Sequence, residues 1–256
     1  MGFSIANIKE QLDSVQLEER IKMIELYRED TRQGVQKLIQ KVEKEMEQRI
    51  AEKARIEEMK RYEKENASYG YICGIDEVGR GPLAGPVVAG AVILDPEVEI
   101  LYLNDSKQLS ESKRELLYEE IMKKAVSVGI GVVPSATIDE VNILQATYEA
   151  MRIAISKLSV QPNVLLNDAV IIPGVSLPQV KIIKGDAKSV SIAAASIVAK
   201  VERDRMMKEY DKIYPGYDFA SNKGYGSAKH IAALKEIGPC PIHRTTFIHN
   251  FLSNEE

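Results

Sequence analysis

The sequence predicts an α/β domain built on a mixed sheet flanked by helices, preceded by a charged helical appendage. Three observations predict it. All ten prolines and 14 of the 16 glycines lie after residue 66, whereas 29 of the first 66 residues are charged. From Tyr71 onward, short β-branched runs bounded by Gly and Pro alternate with stretches of helical period. The first two of those runs follow each other as a strand pair and the later ones alternate with helices, the order of an α/β domain with a mixed sheet. The composition shift therefore divides the chain into a helical extension, residues 1–66, and a main domain, residues 67–256.

In the extension, Ser4 is placed to cap a helix entering at Ile5, with Ile5, Ile8 and Leu12 on one stripe. A second periodic stretch runs from Leu17 to Tyr27. A third, Arg32–Tyr62, sets Val35, Leu38/Ile39, Val42, Met46 and Ile50 at helical spacing, and beyond Ile50 the stripe thins toward a solvated end. In the main domain, Tyr71–Asp76 and Pro86–Leu94 read as strands. Ser110–Ala125 reads as a helix capped by Ser110, and Val126–Val133 as a strand. A helix from Thr137 opens on a Thr-x-x-Glu capping box (Thr137, Glu140). Val164–Asn167 and Val180–Ile183 are short strands, Lys188–Tyr210 a long helix, and Ser227–Ile237 a last helix before a Pro- and His-containing tail.

Composition narrows the function. The longest apolar runs fall short of the ~20 residues of a membrane span, and the N-terminus lacks the basic-then-apolar order of a secretory signal. Two cysteines, Cys73 and Cys240, build neither a disulfide framework nor a four-ligand zinc site, which points to a reducing compartment, the cytoplasm. The net charge of −4 is unevenly spread: residues 1–66 carry −1, residues 67–178 carry −6, and residues 179–250 carry +5. One basic segment in an acidic chain can attract a polyanion locally.

The candidate chemistry lies in carboxylates at strand exits. In Gly74-Ile75-Asp76-Glu77-Val78-Gly79-Arg80-Gly81-Pro82, Asp76 and Glu77 end an apolar strand. Side chains alternate along a regular strand, so the two converge only where the strand becomes irregular, and the glycines supply that irregularity. Asp168 ends a stripe formed with Val164 and Leu166, and Asp186 stands in Lys184-Gly185-Asp186-Ala187-Lys188 at the entrance of the long helix. Each alone is an ordinary turn or cap residue. Together, four carboxylates within one α/β domain form a hard oxygen set suited to Mg²⁺ or Mn²⁺, and two such ions suit phosphodiester cleavage.

The stretches GIDEVGRGPLAGPVVAGAVIL, DSKQLS, KGDAKSVSIAAASIVAKVERDRM and GYGSAKHIAALKEIGPCPIHR closely resemble the prokaryotic type 2 ribonucleases H, over residues 71–250. The resemblance implies a ribonuclease-H-like fold and a metal-dependent endonuclease. Its substrates would be RNA within RNA–DNA hybrids and single ribonucleotides in duplex DNA, cut to leave 5′-phosphate and 3′-hydroxyl ends. It implies Asp76, Glu77, Asp168 and Asp186 as the catalytic and metal-binding acids, Gly79, Arg80 and Gly81 as the ribose reader, and Tyr225 as the tyrosine that contacts the sugar. In the family the third acid usually follows Val, whereas here the sequence is Asn167-Asp168-Ala169.

The residues themselves fit that implication. Selecting RNA means sensing the 2′-hydroxyl, which donates and accepts hydrogen bonds, and a Gly-x-Gly turn brings backbone groups close to a sugar. Tyr225 stands between Gly224 and Gly226 in an exposed loop, with a ring to stack and a hydroxyl to bond. Lys107, Lys184 and Lys188 are candidate phosphate contacts or solvated charges. His230 has a modest substrate role open to it, and Cys73 reads as core. Two rivals stand beside this reading, a type 3 ribonuclease H and a non-catalytic hybrid-binding protein. No obligate protein partner and no membrane association are expected. The extension reads equally as a spacer or as a substrate-gripping module.

Overall fold

A computed structural model describes residues 3–252, and the chain divides into two compact units between Glu57 and Glu58. The first is helical: α1 (Ile5–Asp13), α2 (Leu17–Glu25) and most of α3 (Gln33–Met59). Ser4 caps α1, its hydroxyl accepting from the Asn7 amide at 3.2 Å. Ile8, Leu12, Ile24, Val35, Ile39 and Val42 form the unit's core. Ile5, expected on the buried stripe, is 40% exposed and rests on α3 at Gly34, where a Cβ would lie 2.7 Å from its Cδ1. The stripe of α3 thins at Ile50 as expected, but Ile56 and Met59 are buried again, so this end is not wholly solvated. Ion pairs such as Arg20–Glu45, Arg28–Glu43 and Arg49–Glu18 join the helical segments. Exposed pairs of this kind contribute about 0–1 kcal/mol each, so the apolar seam carries the unit.

The second unit begins with the end of α3 and a short helix α4 (Arg61–Glu65), and is organised by a five-stranded mixed sheet. Its strands are β1 (Ile72–Val78), β2 (Val87–Ile93), β3 (Ser127–Val133), β4 (Val164–Asp168) and β5 (Gln179–Ile182), in the spatial order β3-β2-β1-β4-β5. β1 and β2 pair antiparallel, as do β2 and β3, while β4 runs parallel to β1 and β5 parallel to β4. β2 is buried along its whole length because both faces are covered, whereas the edge strand β3 alternates buried and half-buried residues.

Helices α5 (Glu111–Lys124), α6 (Ser135–Val141), α7 (Ile143–Ser156), α8 (Val190–Ile213), α9 (Phe219–Asn222), α10 (Ala228–Ile237) and α11 (Thr245–Leu252) complete the unit. α8 lies against β1 and β2, and α7 against β2 and β3. Both approach so closely that the sheet must lack side chains beneath them. A Cβ at Gly74 would fall 2.1 Å from the Ser191 carbonyl carbon, and one at Gly131 would fall 1.8 Å from the Ala150 oxygen.

Three local expectations are corrected. The Thr137–Glu140 box does not start a helix: α6 already begins at Ser135 after Pro134, and a fresh helix starts at Ile143. There Asn142, at φ 70°, accepts from the Leu144 and Gln145 amides. The tail after Pro241 contains α11. β1 stays regular through Val78, so no irregularity separates Asp76 from Glu77.

Residues 58–66, which composition groups with the extension, pack within the second unit. Tyr62 lies against the Ile72–Val164–Leu166 cluster. One Glu63 carboxylate oxygen accepts from the Ser189 hydroxyl, the Ser191 hydroxyl and the Ser191 amide, at 2.5, 2.5 and 3.0 Å. A fragment of residues 58–256 should therefore melt above one of residues 67–256. Losing about 2 kcal/mol of hydrogen bonding and burial corresponds to roughly 4–8 °C in a domain of this size. Equal melting temperatures by circular dichroism would show that the 58–66 contacts contribute nothing.

Candidate active site

The parallel pairing of β1 with β4 sets the acids side by side. Ile75 registers with Asn167, so Asp76 and Asp168 follow on neighbouring strands. Asp168 registers in turn with Ile182 on β5. The chain then turns at Lys184 (φ 58°) into a single helical turn, Gly185–Ala187, that carries Asp186. The Gly185 amide donates to Asp168 Oδ1 at 2.7 Å, tying the third acid to the turn of the fourth. The unusual Asn167-Asp168-Ala169 sequence has a structural use: Asn167 is buried and its amide donates to Gln179 Oε1 at 2.8 Å, while Ala169 takes a φ of 53° where the strand ends.

These carboxylates repel one another in a partly desolvated place. Burial pushes Asp76 well above the usual carboxylate range, and the charges of Glu77 and Asp168 push it further. Glu77 is raised by burial, against the opposing pull of the Arg80 guanidinium, 3.2 Å away. Asp186 is pushed up to about 6 by burial, then by Asp105 and Asp168. Asp105, whose charge raises Asp186, is a fifth acid that sequence reasoning missed. Burial works against the Lys107 ammonium, yet Asp105, Asp76 and Asp186 hold its pKa above the ordinary lysine value. Lys107 thus joins the acids, while Lys184 and Lys188 are exposed on the flanks of the Asp186 turn. The acids influence one another without forming a closed cage: among the described residues no three His, Cys, Asp or Glu side chains are gathered tightly enough to hold an ion as they stand.

Beside the acids, the Gly79–Gly81 turn faces the Tyr225 loop. Gly79 has φ 92°, and a Cβ there would fall 2.2 Å from Arg203 Nε. A Cβ at Gly81 would meet only the Tyr225 ring, at 3.7 Å from Cε1. The Leu83 amide donates to the Gly224 carbonyl at 2.8 Å, which stitches the two segments together, and the Tyr225 side remains 45% exposed.

Two fully buried arginines hold this region, and sequence reasoning gave neither a role. Arg244 donates to the Gly79 carbonyl at 2.5 Å, the Arg80 carbonyl at 2.9 Å and the Gly85 carbonyl at 2.9 and 3.1 Å. Arg203 donates to the carbonyls of Pro86, Lys223 and Ala84 at 2.9, 2.8 and 3.1 Å. Burial lowers their pKa values to about 9 and about 10, respectively. His230, a candidate for substrate contact, is instead buried. Cys73 is fully buried and its thiol is pushed up by that burial, as a core residue.

Comparison with known proteins fits these features to a family. The family model for ribonuclease HII matches residues 73–250, and a model for the ribonuclease HII N-terminal domain matches residues 4–67. Ribonuclease HII of Lachnoclostridium phytofermentans is 62% identical over 253 residues, covering 99% of this chain and 100% of that protein. Ribonuclease HII of Listeria innocua is 51% identical over 249 residues, covering 96% and 95%. Among solved structures, the ribonuclease H2 of Pyrococcus horikoshii matches with a TM-score of 0.60 at 28% identity, over 71% of this chain and 97% of that one.

Two stability predictions follow from the geometry. Gly79→Ala must adopt a left-handed φ and displace Arg203, so it should cost about 1–3 kcal/mol, whereas Gly81→Ala, which meets only van der Waals contact, should melt like the wild type. The opposite order in thermal denaturation would refute the placement of this turn. The second concerns pH. Asp186 rises from 3.8 to about 6, so over that interval the unfolded chain binds fewer protons than the folded one. Stability in chelator should then fall as pH rises from about 4 through 6, and Asp186→Asn should flatten the fall and raise the melting temperature at pH 7. A variant less stable than wild type at pH 7 in chelator would contradict this.

Proposed function

The chain belongs to the ribonuclease HII family, and so is a ribonuclease H acting on RNA–DNA hybrids; we propose that it also cuts duplex DNA at single embedded ribonucleotides, with the four strand-end acids as its catalytic set. The type 3 alternative gives way to the family match. The observation that carries the proposal is the juxtaposition of the acid cluster with the cleft between Gly81 and the Tyr225 ring.

The donor set suits hard divalent ions: every group is a carboxylate, and burial raises Asp76, Glu77 and Asp186, so a cation among them would lower the cost of ionising them. Asp76, Glu77, Asp168 and Asp186 would hold Mg²⁺ or Mn²⁺, as two ions during catalysis. When bound, such ions activate a water and stabilise the leaving oxygen. The chain itself orients the sugar. A trans peptide sets its C=O and N–H on opposite sides. With the Gly79 and Arg80 carbonyls turned onto Arg244, the amides of Arg80 and Gly81 therefore point the other way, outward. These two N–H groups would donate to the 2′-oxygen while the Tyr225 ring stacks on a sugar. Lys107, beside the acids, would hold the scissile phosphate, and exposed Lys184 and Lys188 the neighbouring ones.

The products would carry 5′-phosphate and 3′-hydroxyl ends, suiting ribonucleotide removal from DNA and clearance of primers and hybrids. Among the described residues no helix is long and apolar enough to cross a membrane, and two free cysteines suit the cytoplasm, where we place the enzyme.

The test is cleavage of a one-ribonucleotide duplex and of a hybrid in Mg²⁺, Mn²⁺ and EDTA. Wild type should cut both with metal and neither in EDTA. Asp76→Asn should lose about 100-fold or more in rate, and Mg²⁺ should raise its melting temperature less than that of the wild type. Hybrid binding without cleavage under any metal would favour the non-catalytic reading.

A further inference from the structure

The buried histidines form a hydrogen-bonded chain that ends on the substrate loop. The Cys240 amide donates to His243 Nδ1 at 2.9 Å. His243 Nε2 and His230 Nε2 are 3.0 Å apart, and His230 Nδ1 lies 2.8 Å from the Tyr225 carbonyl. The shortest contact of each ring nitrogen assigns the protons. A backbone amide only donates, so His243 Nδ1 is the acceptor and its proton is on Nε2. A carbonyl only accepts, so His230 carries its proton on Nδ1 and receives the His243 proton at Nε2. The Cys240 thiol and carbonyl are each 3.2 Å from His243 Nδ1; the carbonyl, an acceptor, competes for that atom with the Cys240 amide, which is nearer. Both rings are buried against Tyr217 and Phe219. Burial lowers both pKa values, His243 to about 4, so the pair is neutral at pH 7 and the chain is intact.

The residue after His243 is Arg244, whose guanidinium grips the Gly79–Gly81 turn. Between them the backbone of 242–244 pairs with 83–85: Gly85 donates to the Ile242 carbonyl and Arg244 to the Leu83 carbonyl, both at 2.8 Å. Two adjacent side chains on one anchored segment thus reach the two halves of the cleft. We propose that His243 and Arg244 act as one positioning element for sugar discrimination, Arg244 setting the direction of the Arg80 and Gly81 amides and His243, through His230, setting the height of Tyr225. Neither touches substrate. The inference rests on the reading of the cleft as a sugar reader, and deepens it by naming what holds the reader's two sides in register.

The test compares KM for a one-ribonucleotide duplex with the inhibition constant of the all-DNA duplex of the same sequence, in Mg²⁺. Conservative variants keep the fold: His243→Phe retains the ring contacts without the hydrogen bonds, and Arg244→Lys retains the charge without the fork. Each should raise KM with the DNA inhibition constant unchanged, narrowing the preference about fivefold, the scale of one lost net hydrogen bond. Met151→Ala, destabilised in the remote α7 core, should lower the active fraction and leave the ratio alone. If the two variants behave like Met151→Ala while Tyr225→Ala loses the preference, the positioning element is overturned and the sugar reader stands. If Tyr225→Ala keeps the full preference, the reader itself falls. A second measurement needs no activity: nitrogen-15 spectra of the wild type at pH 7 should show His230 as the Nδ1–H tautomer and His243 as the Nε2–H tautomer. Two Nε2–H rings would break the relay.

Discussion

The close approach of α8 to the sheet is the constraint on which the site depends. Only because Gly74 and Gly90 present no side chain can the helix backbone lie on β1 and β2. That proximity puts successive α8 residues in contact with each part of the site. Ser191 meets Glu63 at the helix entrance, Ile192 packs over Gly185 beside Asp186, and the Ser196 hydroxyl donates to Ser106. Two turns further, Arg203 reaches the carbonyls of 84, 86 and 223. A side chain at either sheet glycine would lift the helix and loosen all of these contacts together.

That rigidity answers an electrostatic problem. Asp76, Glu77 and Asp186 are each raised by burial; neighbouring acids add to the cost of ionising Asp76 and Asp186, while Arg80 eases that of Glu77. A flexible frame would relax by moving the acids apart into water. Here Asp76 and Asp168 are fixed by sheet register, Asp168 accepts from Gly185, and Asp186 sits on a turn closed by the capped start of α8. Charge repulsion is therefore retained in the fold, where a cation can relieve it, and Lys107 balances part of it meanwhile.

What the sequence made legible was the part encoded locally. Ser4 and Ser110 cap their helices where the pattern put them, the helix read from Ser227 begins one residue later with Ser227 as its cap, and the strands lie within a residue or two of the apolar runs. The Thr137–Glu140 pattern misled because Pro134 starts a helix earlier and Asn142 restarts one, an interruption that a periodic reading cannot see. The residues missed share one physical property: their role is set by partners far along the chain. Arg203 stands in a charged run that reads as a surface, with Lys200 and Asp204 paired at 2.7 Å beside it. Its own guanidinium turns inward, to carbonyls 117 and 119 residues away. Arg244, Glu63 and the histidine pair are invisible to periodicity for the same reason.

The two buried arginines also show why the acids and the cleft can share one scaffold. Arg80 already faces Glu77, and further guanidinium groups turned onto carboxylates here would cancel more of the acids' negative charge. Bonded to neutral carbonyls instead, Arg203 and Arg244 keep their charge, and burial makes them less basic without pairing them off. Carbonyls drawn inward leave amides facing outward, so one set of buried hydrogen bonds fixes the loop and also gives its exposed side the donor character that an oxygen-rich ligand requires. The fold thereby places acceptors and donors side by side: carboxylates at the strand ends, and oriented N–H groups at the adjacent turn. Both are held from behind by α8 and by the segment that pairs with residues 83–85.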